Sequence, residues 1–398
     1  MRHGGRSSTT IRILLFVDNF DIGGTQSQFI RLANALARDA SYEVDVACLK
    51  GDGALRRTLE LPPDRITTFA LRRFYDAHGL RQILRLARQI RTHCYDLIHA
   101  HDFYANVMCA AASCISRSRL VVSRRYLRLS ERTLHDLGER WSYRLADTVV
   151  LNSQLVAREL MRNGILTPQK TVIIPNGIEL ERFTGYEDPN VSRREGACRL
   201  GVVASLVPDK DHETLIRATA TLRTRWPDIE LVLVGDGHLR PVLQALVNSL
   251  NLQRSVIFVG EQVDVRPWLS TFDVAVLPSR REGLPNTLLE YLAMGRPVVA
   301  TSVGAVPEVV EHDKEALLVP PGDSERLAAA IAVLLSSPQR RSELAMAGRR
   351  RVAKYGVDVM VNAHRDLYDR MLAEHRRTGA VHRSLRALAE AIRVRTLR

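Results

Sequence analysis

No apolar run in this 398-residue chain approaches the roughly eighteen residues needed to cross a bilayer, so no membrane-spanning helix is expected. The first ten residues, MRHGGRSSTT, carry positive charge but no apolar stretch, and the short IRILLFV that follows runs into Asp18. The expected location is therefore cytoplasmic, with a peripheral place on the inner face of the plasma membrane. Cysteine is scarce: Cys48, Cys94, Cys109, Cys114 and Cys198 are odd in number and lack disulfide or metal spacing, which predicts buried packing residues. Lysine is scarcer than arginine, so the net charge of +13 is nearly all guanidinium. Such a surface favours anionic partners. Basic and aromatic residues are not interleaved, so nucleic acid is not an expected partner.

What is present is ordinary for a globular protein, with 45% apolar and 25% charged residues and a length that suggests two domains. From Ile11 onward short apolar runs alternate with amphipathic ones: IRILLFV, QSQFIRLANALAR, YEVDVACLK, GLRQILRLARQIR, DLIHAH. This is the βαβ pattern of a parallel sheet covered by helices on both faces. Residues 184–197 lose periodicity and collect Gly, Pro, Asp and Arg, marking a linker. The alternation then resumes with CRLGVVASL, IELVLVGDG, SVIFVG, DVAVLPS, PVVATS and ALLVPPG. The expected architecture is α/β, with two Rossmann-like doubly wound parallel-sheet domains facing each other across a cleft. One spans residues 11–183 and the other 198–354, with a helix over 355–375 crossing back and a tail over 376–398.

The densest stretch is Arg281–Val310, REGLPNTLLEYLAMGRPVVATSVGAVPEVV. Pro285 and Asn286 open a helix, with Asn286 as its N-cap, and Gly295 and Pro297 end it. Glu282 lies in the loop before that helix and Glu290 within it, so two acceptor-only carboxylates flank free backbone N–H groups. A helix start favours phosphate, and flanking carboxylates favour vicinal hydroxyls. A phosphate between two polyols describes a nucleotide sugar.

The string EGLPNTLLE followed by GRPVVAT and VGAVPEVV resembles the donor site of retaining glycosyltransferases of the GT-B architecture, the large bacterial group 1, family 4-like set. The resemblance implies transfer of a sugar from a nucleoside diphosphate sugar, UDP- or GDP-linked, to a hydroxyl of a glycan or lipid-linked acceptor, with no metal and no cofactor. It implies Glu282 on sugar hydroxyls, Glu290 on the ribose diol, and Gly283, Leu284, Pro285, Asn286 and Thr287 along the donor. DNFDIGGTQ resembles the family's GGxE-type loop and puts Gly23 and Gly24 at the diphosphate. In DLIHAHDFYAN, His101 matches the family histidine near the reacting centre; His99, on the same strand face, is read as either supporting or packed. VVASLVPDK resembles the family's G-R-L-x-P-x-K segment: Lys210 is present to neutralise the leaving diphosphate, while Ser205 stands where arginine is usual. Arg280 and Arg281 are candidate substitutes. Asp236 and Gly237 in LVGDG, and Val259, Gly260 and Gln262 around VIFVGEQ, resemble the segments near the nucleotide. PNGIELERF looks like the family's closing segment of the first domain, with Glu179 in place of aspartate.

On the acceptor side the candidates are Asn106, which closes DLIHAHDFYAN, and Arg124, Arg125 and Asn152 at the ends of first-domain strands, and the 117–144 segment is rich in arginine. A phosphorylated, acidic or lipid-linked acceptor suits that charge, and envelope polysaccharide or glycolipid assembly is the expected setting. The tail places Val381, Leu385, Leu388 and Ile392 on one helical stripe with arginines elsewhere, as a helix lying on an anionic membrane requires. Two rivals share the architecture: a catalytically silent partner of another transferase, suggested by Ser205, and a nucleotide-sugar 2-epimerase, opposed by the paired glutamates and PNGI.

Overall fold

The run IRILLFV becomes strand β1 (Ile11–Val17), whose last five residues are buried, because a parallel strand covered by helices on both faces must be apolar at successive positions. β1 pairs with β2 (Tyr42–Cys48) and with β4 (Leu97–His101), Ile13 lying opposite both Val44 and Leu97. With β3 (Ile66–Thr68), β5 (Leu120–Arg124), β6 (Thr148–Leu151) and β7 (Thr171–Ile173) they make a seven-stranded parallel sheet in the order β3-β2-β1-β4-β5-β6-β7. A second parallel sheet has six strands: β8 (Arg199–Val203), β9 (Glu230–Val234), β10 (Val256–Gly260), β11 (Val274–Leu277), β12 (Val298–Thr301) and β13 (Leu317–Val319), in the order β10-β9-β8-β11-β12-β13. This computed structural model describes residues 10–71, 76–125, 134–186, 188, 191 and 193–373.

Strand order reverses once in each sheet, between β1 and β4 and between β8 and β11. Beyond the carboxyl ends of such strands a crevice opens, and there doubly wound folds bind ligands. The two crevices face each other, which gives the GT-B arrangement of two Rossmann-like domains around a cleft.

Each sheet carries an apolar core on both faces. The helix over residues 357–373 follows the second domain in sequence yet buries Met360, Val361, Leu367, Tyr368 and Met371 in the core of the first. Burial of such side chains contributes roughly 1.5–3 kcal/mol each, enough to hold the chain's return. A second tie is electrostatic. Glu308, in the second domain, accepts from the backbone N–H groups of Gln154 (2.9 Å) and Leu155 (2.6 Å), capping the first-domain helix Gln154–Arg162 from across the cleft.

Two sequence expectations are corrected. Asn286 is not the N-cap of its helix, Asn286–Ala293; Pro285 holds that position, and the Asn286 amide is drawn to the other domain instead. Cys48 and Cys109 are buried, but Cys94 and Cys114 are exposed and Cys198 half-buried. Cys94 caps a helix end in the left-handed conformation (φ 51°), and Cys114 falls on the outer side of the helix Phe103–Ser116. The basic tail over 376–398, and residues 187, 189, 190 and 192 of the 184–197 segment, lie outside the described residues. No helix among the described residues is long and apolar enough to cross a membrane.

Candidate active site

The loops at the two reversal points enclose a cavity of about 720 Å³ lined from both domains. Gly23 and Gly24, Asp18 and Asp102, and Arg125 with Asn176 come from the first domain. Ser205, Lys210, Asp236, Gln262 and the run Arg281–Thr287 with Glu290 come from the second. That volume suits a bound molecule of moderate size.

Lys210 sits in a single 3-10 turn, Pro208–Lys210, after β8. Its Nζ donates to Glu282 Oε1 at 2.6 Å, and the same oxygen accepts from Ser279 Oγ at 2.6 Å. Ser279 is itself held by its carbonyl, which accepts from Thr301 Oγ1 at 2.6 Å at the end of β12. Gly304 has φ +55°, and a Cβ on it would stand 1.9 Å from the Glu282 carbonyl oxygen. The turn after β12 therefore props up the loop after β11 by direct backbone contact, which is why VGAVPEVV follows the glutamate motif.

Glu290 is half-buried and faces the cavity with no hydrogen-bond partner among the described residues. Burial pushes its pKa up, opposed by Arg31 and Arg182 from the first domain and its closing segment. Ionised, as the two arginines favour, it is an acceptor-only group ready for a pair of hydroxyls. Asn286 closes the cleft floor: its Nδ2 donates to the Gly24 carbonyl (3.0 Å), and its Oδ1 accepts from Gln28 Nε2 (3.1 Å) and Asn176 Nδ2 (2.7 Å). Gly283 packs so closely on the Arg125 carbonyl that a Cβ would lie 2.8 Å from it.

The two candidate substitutes for the missing arginine lie in different places. Arg280 is turned to Asp211, Nε to Oδ2 at 2.9 Å. Arg281 lines the cavity, as does Ser205. Of the acceptor-side candidates only Arg125 lines it too. Arg124 is buried against Glu139 at 2.9 Å, Asn106 Nδ2 donates to the Ser123 carbonyl at 3.0 Å, and Asn152 Nδ2 to the Arg125 carbonyl at 3.1 Å. Strand alternation sends the two arginines opposite ways.

His101 lies one layer beneath the cavity. Its ring is fully buried at the edge of Phe29 (5.2 Å between centroids) and beside His99 (4.1 Å), and neither ring nitrogen has a hydrogen-bond partner among the described residues. His99 is braced, Nδ1 to the Tyr368 hydroxyl at 2.6 Å and Nε2 to Ser123 Oγ at 2.7 Å. Burial, then the neighbouring cationic groups, hold both histidines well below the usual imidazole range, so both are neutral. Of the nucleotide-side candidates, Asp236 and Gln262 line the cavity, whereas Gly237, Val259 and Gly260 do not. Among the described residues no group of three or more His, Cys, Asp or Glu side chains converges to hold a metal ion.

Sequence reading passed over one pair. Asp18 directly follows β1 and Asp102 directly follows β4, and adjacency of those strands brings the two carboxyls together at the cavity wall. Asp18 accepts from the N–H of Ala105 at 2.6 Å, and Asp102, at φ +76°, accepts from Gln26 Nε2 at 2.9 Å. Burial, reinforced by Asp102, pushes Asp18 up to about 8, and burial pushes Asp102 up to about 6. Raised carboxyls contribute stability fully below the ordinary carboxylate range, and that stability is lost as pH rises through about 6 and then about 8. Asp102→Asn keeps the acceptor for Gln26 and removes one charge. Its melting temperature is expected to exceed the parent's above pH 6 by a margin that closes toward pH 4. A margin constant across that range would refute the raised Asp102 carboxyl.

Against this geometry, comparisons with known proteins are specific. Residues 22–182 match the model described as Glycosyltransferase Family 4, and residues 197–337 the model described as Glycosyl transferases group 1. The chain belongs to this glycosyltransferase family. A D-inositol 3-phosphate glycosyltransferase of Thermobispora bispora is 26% identical over 395 residues, covering 90% of this chain and 92% of that one. The alpha-D-kanosaminyltransferase of Streptomyces kanamyceticus is 29% identical over 315 residues, covering 72% and 80%. The transferase also shares its fold with Anabaena HepE, at TM-score 0.76 and 22% identity over 90% of this chain and 100% of that one. WaaG, a glycosyltransferase involved in lipopolysaccharide biosynthesis, superposes at TM-score 0.69 and 18% identity, covering 89% and 99%.

Proposed function

We propose that the transferase moves a sugar, with retention and without a metal or other cofactor, from a nucleoside diphosphate sugar to a hydroxyl of a glycan or lipid-linked acceptor. The observation that carries this reading is the Lys210–Glu282 pair facing the same cavity as the unpartnered Glu290 and the helix start at Gly24. Lys210 and that helix start take the diphosphate, with Arg281 supplying the guanidinium charge that Ser205 omits. Glu282 takes sugar hydroxyls and Glu290 the ribose diol. His101, neutral and one layer down, supports the Asp102 turn from beneath. The bond from the anomeric carbon to the diphosphate breaks, the acceptor oxygen bonds on the same face, and its proton passes to the departing diphosphate. Orientation and charge stabilisation supply the rate. Crystal structures of HepE with UDP and with UDP-glucose support a uridine donor for the shared fold. Arg125 lines the cavity, its Nε and Nη2 without a hydrogen-bond partner among the described residues, and so favours an anionic acceptor. Work at the cytoplasmic face of the envelope, on polysaccharide or glycolipid, follows from that charge.

The test is thermal stabilisation by UDP, GDP and ADP, repeated on Glu290→Ala. A ligand at a hundred times its Kd stabilises by about 2.7 kcal/mol, so one base should raise the melting temperature by a few kelvin, and the variant should lose the rise. No rise with any nucleotide, from a folded protein, would overturn the donor assignment. Sugar released or rearranged without acceptor would point to epimerase chemistry instead.

A further inference from the structure

The helix Leu134–Leu145 is oriented against the usual sense of a surface helix. Its inward side carries a charge: Glu139 is buried, accepts from Arg124 Nη1 at 2.9 Å and from the Tyr143 hydroxyl at 2.6 Å, and so fixes the rotation of the helix about its axis. Its apolar side turns outward. Leu137, Trp141 and Leu145, four residues apart, form one stripe with exposures of 60%, 42% and 38%. Arg140 and Arg144 are exposed beside the stripe.

Two further helices lie alongside. The helix Phe103–Ser116 packs beside Leu134–Leu145, and the helix Ala77–His93 packs beside that. Ala77–His93 contains no acid, exposes Leu80 and Leu84, and exposes Arg81, Arg85, Arg88 and Arg91 between and beyond them. Across all three helices the acids are Asp136 and Glu139, and Glu139 is buried against Arg124. One face of the first domain therefore combines outward leucines and a tryptophan with charge of nearly one sign.

We propose that this three-helix face seats the transferase on an anionic lipid bilayer. Leucine and tryptophan side chains at helix spacing enter the boundary between headgroups and acyl chains, where an indole keeps its N–H in the wet layer. The surrounding guanidinium groups meet lipid phosphates, each contributing about 1 kcal/mol near such a surface. A second copy of the chain fits the face poorly, since self-association would bring two sets of arginines together. The face also reaches the cleft: His135, on the same helix, stacks on Phe103 at 3.4 Å, and both line the cavity. A bilayer held there lies beside the first-domain wall of the site. The inference stands on the surface alone and does not depend on the donor or acceptor assignments.

The full chain is to be sedimented with vesicles of phosphatidylcholine, and of phosphatidylcholine mixed with phosphatidylglycerol. Binding to the anionic vesicles only is expected, with brominated lipid quenching a tryptophan component that Trp141→Phe removes. Leu137→Ser with Trp141→Ser should weaken vesicle binding about tenfold or more, since each truncation loses most of a buried apolar side chain. An unchanged melting temperature shows that the variant is folded. Undiminished binding by this variant would overturn the proposal and assign attachment to the tail over 376–398. Absence of binding by the parent, or concentration-dependent dimers that the double variant abolishes, would overturn it in favour of no membrane role or a second copy.

Discussion

Lys210→Met is expected to lower kcat by about 10²- to 10³-fold, the usual cost of removing one preorganised charge from a site where negative charge develops. Methionine keeps the aliphatic stem and deletes only the ammonium, so packing around the Pro208–Lys210 turn should survive. The effect should fall on kcat more than on donor KM, because the charge on the departing diphosphate grows toward the transition state. A cost in stability accompanies it. Glu282 is nearly fully buried and would retain the Ser279 hydroxyl as its remaining side-chain donor, although Lys210, at 27% exposure, shares its charge with solvent and softens the loss. Lys210→Arg should recover little, since a planar fork does not reproduce a compact point charge on Glu282 Oε1. Steady-state kinetics on variants shown to be folded decide the matter. A Lys210→Met enzyme with parental kcat would remove Lys210 from the chemistry.

The second large effect is expected at Gly304, which touches no ligand. Alanine there must adopt φ +55° and place a methyl 1.9 Å from the Glu282 carbonyl oxygen, a contact with backbone that no rotamer change relieves. The left-handed conformation alone costs about 1–2 kcal/mol, and overpacking adds typically 1–3. The loop bearing Glu282 must shift, and misplacement by about 1 Å at a reacting centre costs roughly 10²-fold. Gly322 supplies the control: it has φ +74° with nothing within 4 Å, so Gly322→Ala should show the conformational cost alone and leave turnover intact. Urea unfolding and kcat for the two variants separate the contributions. Equal losses in both would mean that contact between Gly304 and Glu282 does not matter.

Several residues show where sequence reading ends. Arg124 and Arg125 are adjacent and chemically identical, and only the pleat of β5 tells that one pairs with Glu139 while the other reaches the cavity. Arg280 and Arg281 divide in the same manner, because Asp211 waits for the first. Asn286 reads as a cap, since asparagine before an apolar run usually is one. Its amide instead bridges to Gly24, Gln28 and Asn176, which no local pattern brings near. Asp18 and Asp102 each follow a strand end, and that position was the available signal. Their mutual effect needed the β1–β4 pairing. Cys94 and Cys114 look apolar by neighbourhood and lie outside, the first at a left-handed helix end and the second by helix phase.

Continuous apolar runs separated by amphipathic ones determined by themselves that this chain forms parallel strands under helices, because buried strands admit few polar residues and covering helices need one polar side. The same local logic marked Glu282 and Glu290, which flank a helix start set by short-range geometry, while Lys210 was marked by the resemblance of VVASLVPDK to the family's segment. Which side chains meet was decided by the tertiary structure alone. The Lys210–Glu282 pair, the Asp18–Asp102 carboxyls, the bridge at Asn286 and the outward stripe of Leu137, Trp141 and Leu145 all arise from strand order, domain closure and one buried ion pair. Those are long-range contacts, and their energies depend on burial that no short window of sequence contains.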